Sequence, residues 1–528
     1  MTAGPTGSTR ADVVILGGGL GACAAALAAA RMGRRVVLTE PRRWIGGQLT
    51  SEAVPPDEHP WIEDFGANRS YRALREGIRA YYRRNLPLSA SARSRAALNP
   101  GNGWVSRLCH DPRIGVAVLH EMLAPYLLNG SLLVLRHHLP IVASTHGDRV
   151  TGVVLRDLES GRDVVIEADY FIDATPHGDL LALAGVEHVL GQESRAETGE
   201  PHAAETANPR AQQAITVCFA MEHLPGEDHT IDKPARYDFW RDHRPSFWPG
   251  RLLDWTSTRP ETGEPLTRGL FDAEDGLSLW TFRRILDKAT FEPGFARSDV
   301  TLVNWPQNDC WLGPVCGVDA EESARNVEAA RQLSLSFLHW LQTEAPRPDG
   351  GIGYRGFRLR GDIVGGTTDG LAMAPYIRES RRIRAEYTVL EQHIAHPLRP
   401  EGPTIVHDSV GVGCYRIDLH PRTAGGGGYL DLGCWPFQIP LGSLLPVRVE
   451  NVLPGSKNLG VTHITNGAFR VHPVEWSVGE AAGMLATFCL ERRVTPRHVR
   501  ARTSLLADFQ ALLLASGVEL SWPQLRPL

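Results

Sequence analysis

Tyr415-Arg416-Ile417-Asp418-Leu419-His420-Pro421 alternates apolar and charged residues. At the two-residue period of a strand, Arg416, Asp418 and His420 share one face while Tyr415, Ile417 and Leu419 share the other. An arginine and an imidazole side by side can hold an anion and take up a proton near neutral pH. A row of structural ion pairs at a sheet edge is the competing reading. His463, Arg470 and His472 form a second group of the same kinds of residue. His420, His463 and Arg470 are therefore the catalytic candidates, and Arg416 and His472 are candidates for substrate contact. Asn304 and Gln307 flank Trp305-Pro306, where two amides beside a tryptophan and a rigid proline suit a pocket wall. Arg378, Arg381 and Arg382 fall three or four apart, which predicts one helical face able to meet a carboxylate or phosphate. Solvated helix arginines are the alternative.

The element that must organise these residues stands at the start of the chain. Asp12-Val13-Val14-Ile15-Leu16 reads as a buried parallel strand and runs into Gly17-Gly18-Gly19-Leu20-Gly21-Ala22. An alanine-rich helix from Cys23 to Met32 follows, then Val36–Thr39 as a second strand ending on Glu40. This is a βαβ unit with a G-x-G-x-x-A dinucleotide fingerprint. Gly17 permits the tight turn, Gly19 lets backbone approach a pyrophosphate, and Ala22 keeps helix and strand close. The helix N-terminus favours the phosphate charge, and Glu40 can accept from a ribose diol. Arg42 and Arg43 would suit the extra phosphate of NADP, but Glu40 would repel it.

After Glu40 comes Pro41, then Gly46-Gly47-Gln48, and here the chain resembles the two-dinucleotide-binding-domain flavoproteins. The resemblance continues through Tyr170–Thr175, the Gly178-Asp179 pair, and the block from Pro454 to Gly483 with its small-residue helix. It points to the FAD-dependent oxidoreductase family, related to the fumarate reductase flavoproteins, and covers most of the chain. It implies FAD as cofactor, held by Gly17, Gly19, Ala22, Glu40, Pro41, Gly46, Gly47 and Gln48. Ala174, Thr175 and Asp179 follow at the strand end, with Gly455, Asn458, Asn466, Gly467 and Glu475 from the later block. It further implies that the late helix points its N-terminus at the flavin, where its dipole stabilises negative charge.

The expected fold class is α/β: a Rossmann-like FAD-binding domain with a parallel sheet and β-meander, and an interleaved mixed α+β cap domain. Ser131–Leu135, Arg149–Leu155 and Asp163–Ile166 read as the meander, after a helix at Arg113–Leu128. The chain divides into a flexible N-terminus (1–10), a first FAD-binding segment (11–189) and a substrate or cap domain (190–370). A second FAD-binding segment with substrate-facing strands (371–510) and a C-terminal tail (511–528) complete it. Trp240, Trp248, Trp255, Trp280, Trp305 and Trp311 fall in the cap and read mainly as core. Helix Glu321–Thr343 there opens on an expected Asp319/Glu322 capping box.

The 528 residues carry a net charge of -5, which makes no electrostatic case for nucleic acid. Eight cysteines without a C-x-x-C pair suggest neither a metal site nor a dithiol centre. No apolar run reaches membrane-spanning length, so the expectation is a soluble cytoplasmic enzyme with no membrane partner. The resemblance implies oxidation of a small organic substrate by hydride transfer to FAD, with oxygen or another electron acceptor completing the cycle. Reduction of an activated alkene, flavin monooxygenation, and non-catalytic FAD binding are the alternatives.

Overall fold

The computed structural model describes residues 8–271, 277–425 and 427–528. β1 (Ser8–Leu16) buries Val13–Leu16 completely and passes into α1 (Leu20–Arg31). β2 (Val36–Glu40) returns parallel to it, with Val13 opposite Val36. α2 (Pro112–Leu128) starts where Asp111 accepts from the Arg113 N–H, and Pro112 sits in its first turn, which needs no amide donor. It leads to β3 (Leu132–Arg136), parallel to β2 on the edge of the sheet.

The meander is β4 (His138–His146), β5 (Arg149–Asp157) and β6 (Asp163–Asp173). Ser131–Leu135, expected within it, instead falls on β3, and the sequence pattern gives no sign of β4. β4 is an edge strand that buries only Pro140, so its pattern carries little apolar alternation. The segments Asp163–Ile166 and Tyr170–Asp173, separate in the sequence pattern, are one continuous strand. β6 lies parallel to β1 along its length and antiparallel to β5 through its first half.

A second core belongs to the middle of the chain. β7 (Phe219–His223), β8 (Arg284–Leu286), β9 (Val300–Val303) and β10 (Phe357–Leu359) form an antiparallel sheet in the order β8-β9-β7-β10. α3 (Ala320–Thr343) shares its core through Leu333, Phe337 and Leu341. Trp240, Trp248, Trp280 and Trp305 are buried there, while Trp255 and Trp311 pack partly exposed at its margin. Asp319 caps α3 by accepting from the Glu322 N–H. The reciprocal half of the expected box is replaced by an ion pair from Glu322 to Arg210.

The chain then forms a hairpin of β11 (Ile417–Leu419) and β12 (Leu430–Leu432). β13 (Val452–Pro454) returns to the first sheet, parallel to the second half of β6. α4 (His463–Phe469) and α5 (His472–Arg492) follow. α5 lies against α1 at backbone contact: a Cβ on Gly479 would meet Gly21 O at 1.9 Å, and one on Gly483 would meet Ala25 O at 2.5 Å.

Both chain ends differ from expectation. Residues 1–7 of the anticipated flexible start lie outside the described residues, and Ser8–Arg10 already belong to β1. The boundary at 510 cuts the helix Thr503–Ala515, and the expected tail is anchored by buried Leu513 and Val518. Among the described residues no helix is long and apolar enough to cross a membrane.

Candidate active site

The turn after β1 is built to let other backbone come close. Gly17 has φ +91°, and a Cβ there would sit 2.4 Å from Ala174 O at the end of β6. Glu40, buried at the end of β2, accepts from the Gly18 N–H at 3.1 Å and the Arg42 N–H at 2.9 Å. Burial pushes its carboxyl above the ordinary range, opposed by Arg42. Gly19, Glu40, Gly47, Gln48, Ala174 and Glu475, all expected from sequence, line one cavity together. Glu475 spans it, accepting from Ser456 Oγ at 2.9 Å and from the Gln48 amide.

The remaining expected cofactor residues lie around this cavity rather than on it. Gly46 donates its N–H to Gly18 O at 2.7 Å, and Pro41 sits just outside the lining. Ala22 is buried inside α1. Thr175 donates to Asp173 Oδ1 and accepts from the Asp179 N–H, so these residues fix the turn after β6; the Asp179 carboxylate faces Arg381 at 3.8 Å. Gly455 and Asn458 both hydrogen-bond to Asp173 O. Asn466 accepts from Gln213 at 3.4 Å, and a Cβ on Gly467 would meet the Asp418 backbone at 2.9 Å.

Sequence reasoning passes over Ser51, Glu52, Ser456 and Lys457, which also line the cavity. Glu52 is buried, and desolvation raises its carboxyl to about 7 against the opposing charge of Lys457. The available signal is position: Ser51 and Glu52 follow the Gly-Gly-Gln step directly, and Lys457 is one of only three lysines.

A second cavity, of about 410 Å³, lies between the cap and the β11–β12 hairpin. Arg416, Asp418 and His420 all line it, as do Asn304 and Gln307. His420 Nδ1 lies 2.5 Å from Asp309 Oδ2, and Nε2 lies 3.5 Å from Asp418 Oδ2. Burial alone would raise the Asp309 carboxyl, but the Arg378 guanidinium and the His420 ring hold it down at about 2. The Asp418 carboxyl is likewise held below its ordinary range, against burial, by His420 and Arg470. The result is a row of alternating groups, Arg378, Asp309, His420, Asp418 and Arg470, buried except at His420 and Asp418, which face the cavity. Asp309 is the main residue that sequence reasoning misses here.

Several expected roles change. Arg378 does not sit on a helix: Tyr376 exchanges both backbone hydrogen bonds with Thr216, and residues 377–381 that follow are not helical. Arg378 is 1% exposed and spends its Nη groups on Ala214 O, Thr216 Oγ1 and Asp309, so it positions Asp309 rather than substrate. Arg382 is fully buried between Glu193 and Glu379. Arg470 donates to Tyr376 Oη at 2.6 Å and Asp418 Oδ2 at 2.8 Å, which makes it a support for Asp418. Arg416 pairs with Asp431 on the cavity wall. His472 accepts from the Asp57 N–H on Nδ1, so Nε2 carries the proton and donates to Val54 O. Neither ring nitrogen remains for a ligand, and burial lowers its pKa to about 4. His463 faces a different cavity on the other side of the hairpin, with Nδ1 2.9 Å from Glu379 Oε2.

Comparison with known proteins decides the family. The model of the FAD dependent oxidoreductase family matches residues 12–513. The chain belongs to that family. No curated protein matches it. Among solved structures it is similar to a geranylgeranyl bacteriochlorophyll reductase-like protein of Thermoplasma acidophilum (10% identity, TM-score 0.35, 97% of this chain and 85% of the other). It is similar also to an E. coli quinol fumarate reductase (11%, 0.33, 97% and 74%). A myxobacterial chondrochloren halogenase matches over 41% of this chain at 19% identity and TM-score 0.23, and the chain spans 46% of that halogenase.

The cofactor of this FAD-dependent oxidoreductase is FAD, and the residues lining the first cavity suit it chemically. Gln48 Oε1 and Glu52 Oε2 are buried on its wall without a hydrogen-bond partner among the described residues. A Cβ on Gly47 would fall 2.9 Å from Gly19 Cα, so two glycines keep the wall thin where an extended ligand must pass. Glu40 offers acceptors suited to a ribose diol, and Lys457 a cation suited to phosphate.

Proposed function

We propose that this enzyme oxidises a carbon bearing a hydroxyl or amino group on a small organic substrate, with His420 as the general base. The observation that carries the reading is His420 on the wall of a ligand-sized cavity with Nδ1 held by a buried carboxylate. Both ring nitrogens face carboxylates, which can only accept; Asp309 makes the shorter contact, so in the neutral ring Nδ1 carries the proton and Nε2, 3.5 Å from Asp418, keeps the lone pair. Nε2 takes the proton from the substrate heteroatom. Asp309, kept ionised by Arg378, and Asp418, kept ionised by Arg470, then stabilise the imidazolium that forms. Asn304 and Gln307 orient the substrate from the cap side. When bound, FAD supplies the acceptor for the hydride that leaves carbon.

The test is anaerobic mixing of the FAD-loaded enzyme with panels of alcohols, amines and activated alkenes. The proposal expects alcohols or amines to bleach the visible flavin absorbance. A protein that bleaches with none of them, yet oxidises added reduced flavin with an alkene, contradicts it.

A further inference from the structure

Arginines around His420 suggest an anionic substrate when they are read from sequence, yet those named in that reading already face carboxylates. Arg378 pairs with Asp309, Arg416 with Asp431, and Arg470 with Asp418. Arg283, also on the cavity wall, faces Asp57 at 3.5 Å. A substrate carboxylate would have to compete with a protein carboxylate for each of these cations.

The wall is flat and aromatic instead. Trp104 and Phe282 stack with ring centroids 4.2 Å apart, and the Arg283 guanidinium lies 4.9 Å over the Phe282 ring. Trp255 is fixed by its Nε1 donating to Pro346 O at 2.9 Å, and the Tyr429 ring lies 5.5 Å from the His420 ring. Gln307, 2% exposed, donates Nε2 to Asp254 O at 3.0 Å. A carbonyl only accepts, so this bond settles which end of the amide is oxygen. Oε1 is the other end, and it is buried with no donor among the described residues.

We propose that the cavity selects an uncharged aromatic alcohol, its ring against the Trp104–Phe282 wall and its single O–H directed to His420 Nε2. This inference rests on the cavity being the substrate site, as proposed above. Ring-on-ring packing favours an aromatic body, and a base at His420 requires a substrate O–H, which a carboxylate lacks.

The test is titration of the FAD-loaded protein with benzyl alcohol, naphthylmethanol, cyclohexylmethanol and benzoate, with binding read by calorimetry. The aromatic alcohols should bind about tenfold more tightly than cyclohexylmethanol or benzoate. Trp104→Ala should abolish that preference with FAD content unchanged, and Trp104→Phe should restore it. Equal binding of benzoate or cyclohexylmethanol, or a Trp104→Ala variant that keeps the preference, overturns the inference. Anaerobic bleaching separates the two proposals. Aromatic alcohols that bind without bleaching the flavin support this substrate class and refute oxidation. Bleaching by aliphatic alcohols with no aromatic preference does the reverse.

Discussion

Replacing Gly479 with alanine tests the contact that holds the glycine turn after β1 in place. In an exposed helix the change should stabilise, since alanine is favoured over glycine by about 1 kcal/mol. Here the added Cβ would lie 1.9 Å from Gly21 O, inside α1. Reaching ordinary contact requires the two helices to separate by roughly 1.5 Å or more. The obstacle is backbone, so no rotamer change relieves it. Overpacking of this kind costs about 1–3 kcal/mol, which exceeds the helix-propensity gain. Separation would also shift the start of α1, and with it the cavity-lining Gly18 and Gly19 just before it. Gly479→Ala should therefore lower both the melting temperature and FAD retention through gel filtration. A variant that melts at or above the wild-type temperature with full FAD content refutes the reasoning.

Three further outcomes follow from the sites. Glu40→Gln removes a charged acceptor and should weaken FAD by about 1.5–3 kcal/mol, measured by fluorescence titration of the apoprotein; unchanged affinity would mean Glu40 does not meet the ribose. Glu52, raised from 4.5 to about 7 by burial, binds its proton more tightly folded than unfolded. Its effect on stability is therefore neutral below pH 4.5, grows unfavourable as pH rises to about 7, and stays constant above. Relative to wild type, FAD-free Glu52→Gln should gain up to about 3 kcal/mol between pH 4 and pH 8 in denaturant melts, and a pH-independent difference would contradict this. Asp309→Asn leaves Arg378 charged and buried without its partner, so it should cost about 3–5 kcal/mol of stability and slow flavin reduction; wild-type values of both would remove Asp309 from the row.

The first βαβ unit is readable from sequence because its signals are local: a buried apolar strand, glycines in the turn, and an acid ending β2. The alternation at Arg416, Asp418 and His420 likewise announces a shared face, and all three line the same cavity. What the chain hides depends on distant partners. Arg378, Arg381 and Arg382 have helical spacing, but Tyr376 is pinned to Thr216 and the segment is not helical. His472 resembles its neighbours in sequence, yet the backbone of Val54 and Asp57 consumes both of its nitrogens. Asp309 follows an amide-rich turn, and only the fold brings it to His420. β4 escapes notice because an exposed edge strand has almost no buried face to pattern.

The most direct test of the central claim is stopped-flow anaerobic reduction of the bound flavin by the best substrate of the panel, in wild type and His420→Ala. The variant should keep its FAD and flavin spectrum while reduction slows by about 10²–10⁴-fold, the usual cost of losing a general base. Reduction at the wild-type rate, with FAD content unchanged, would contradict it.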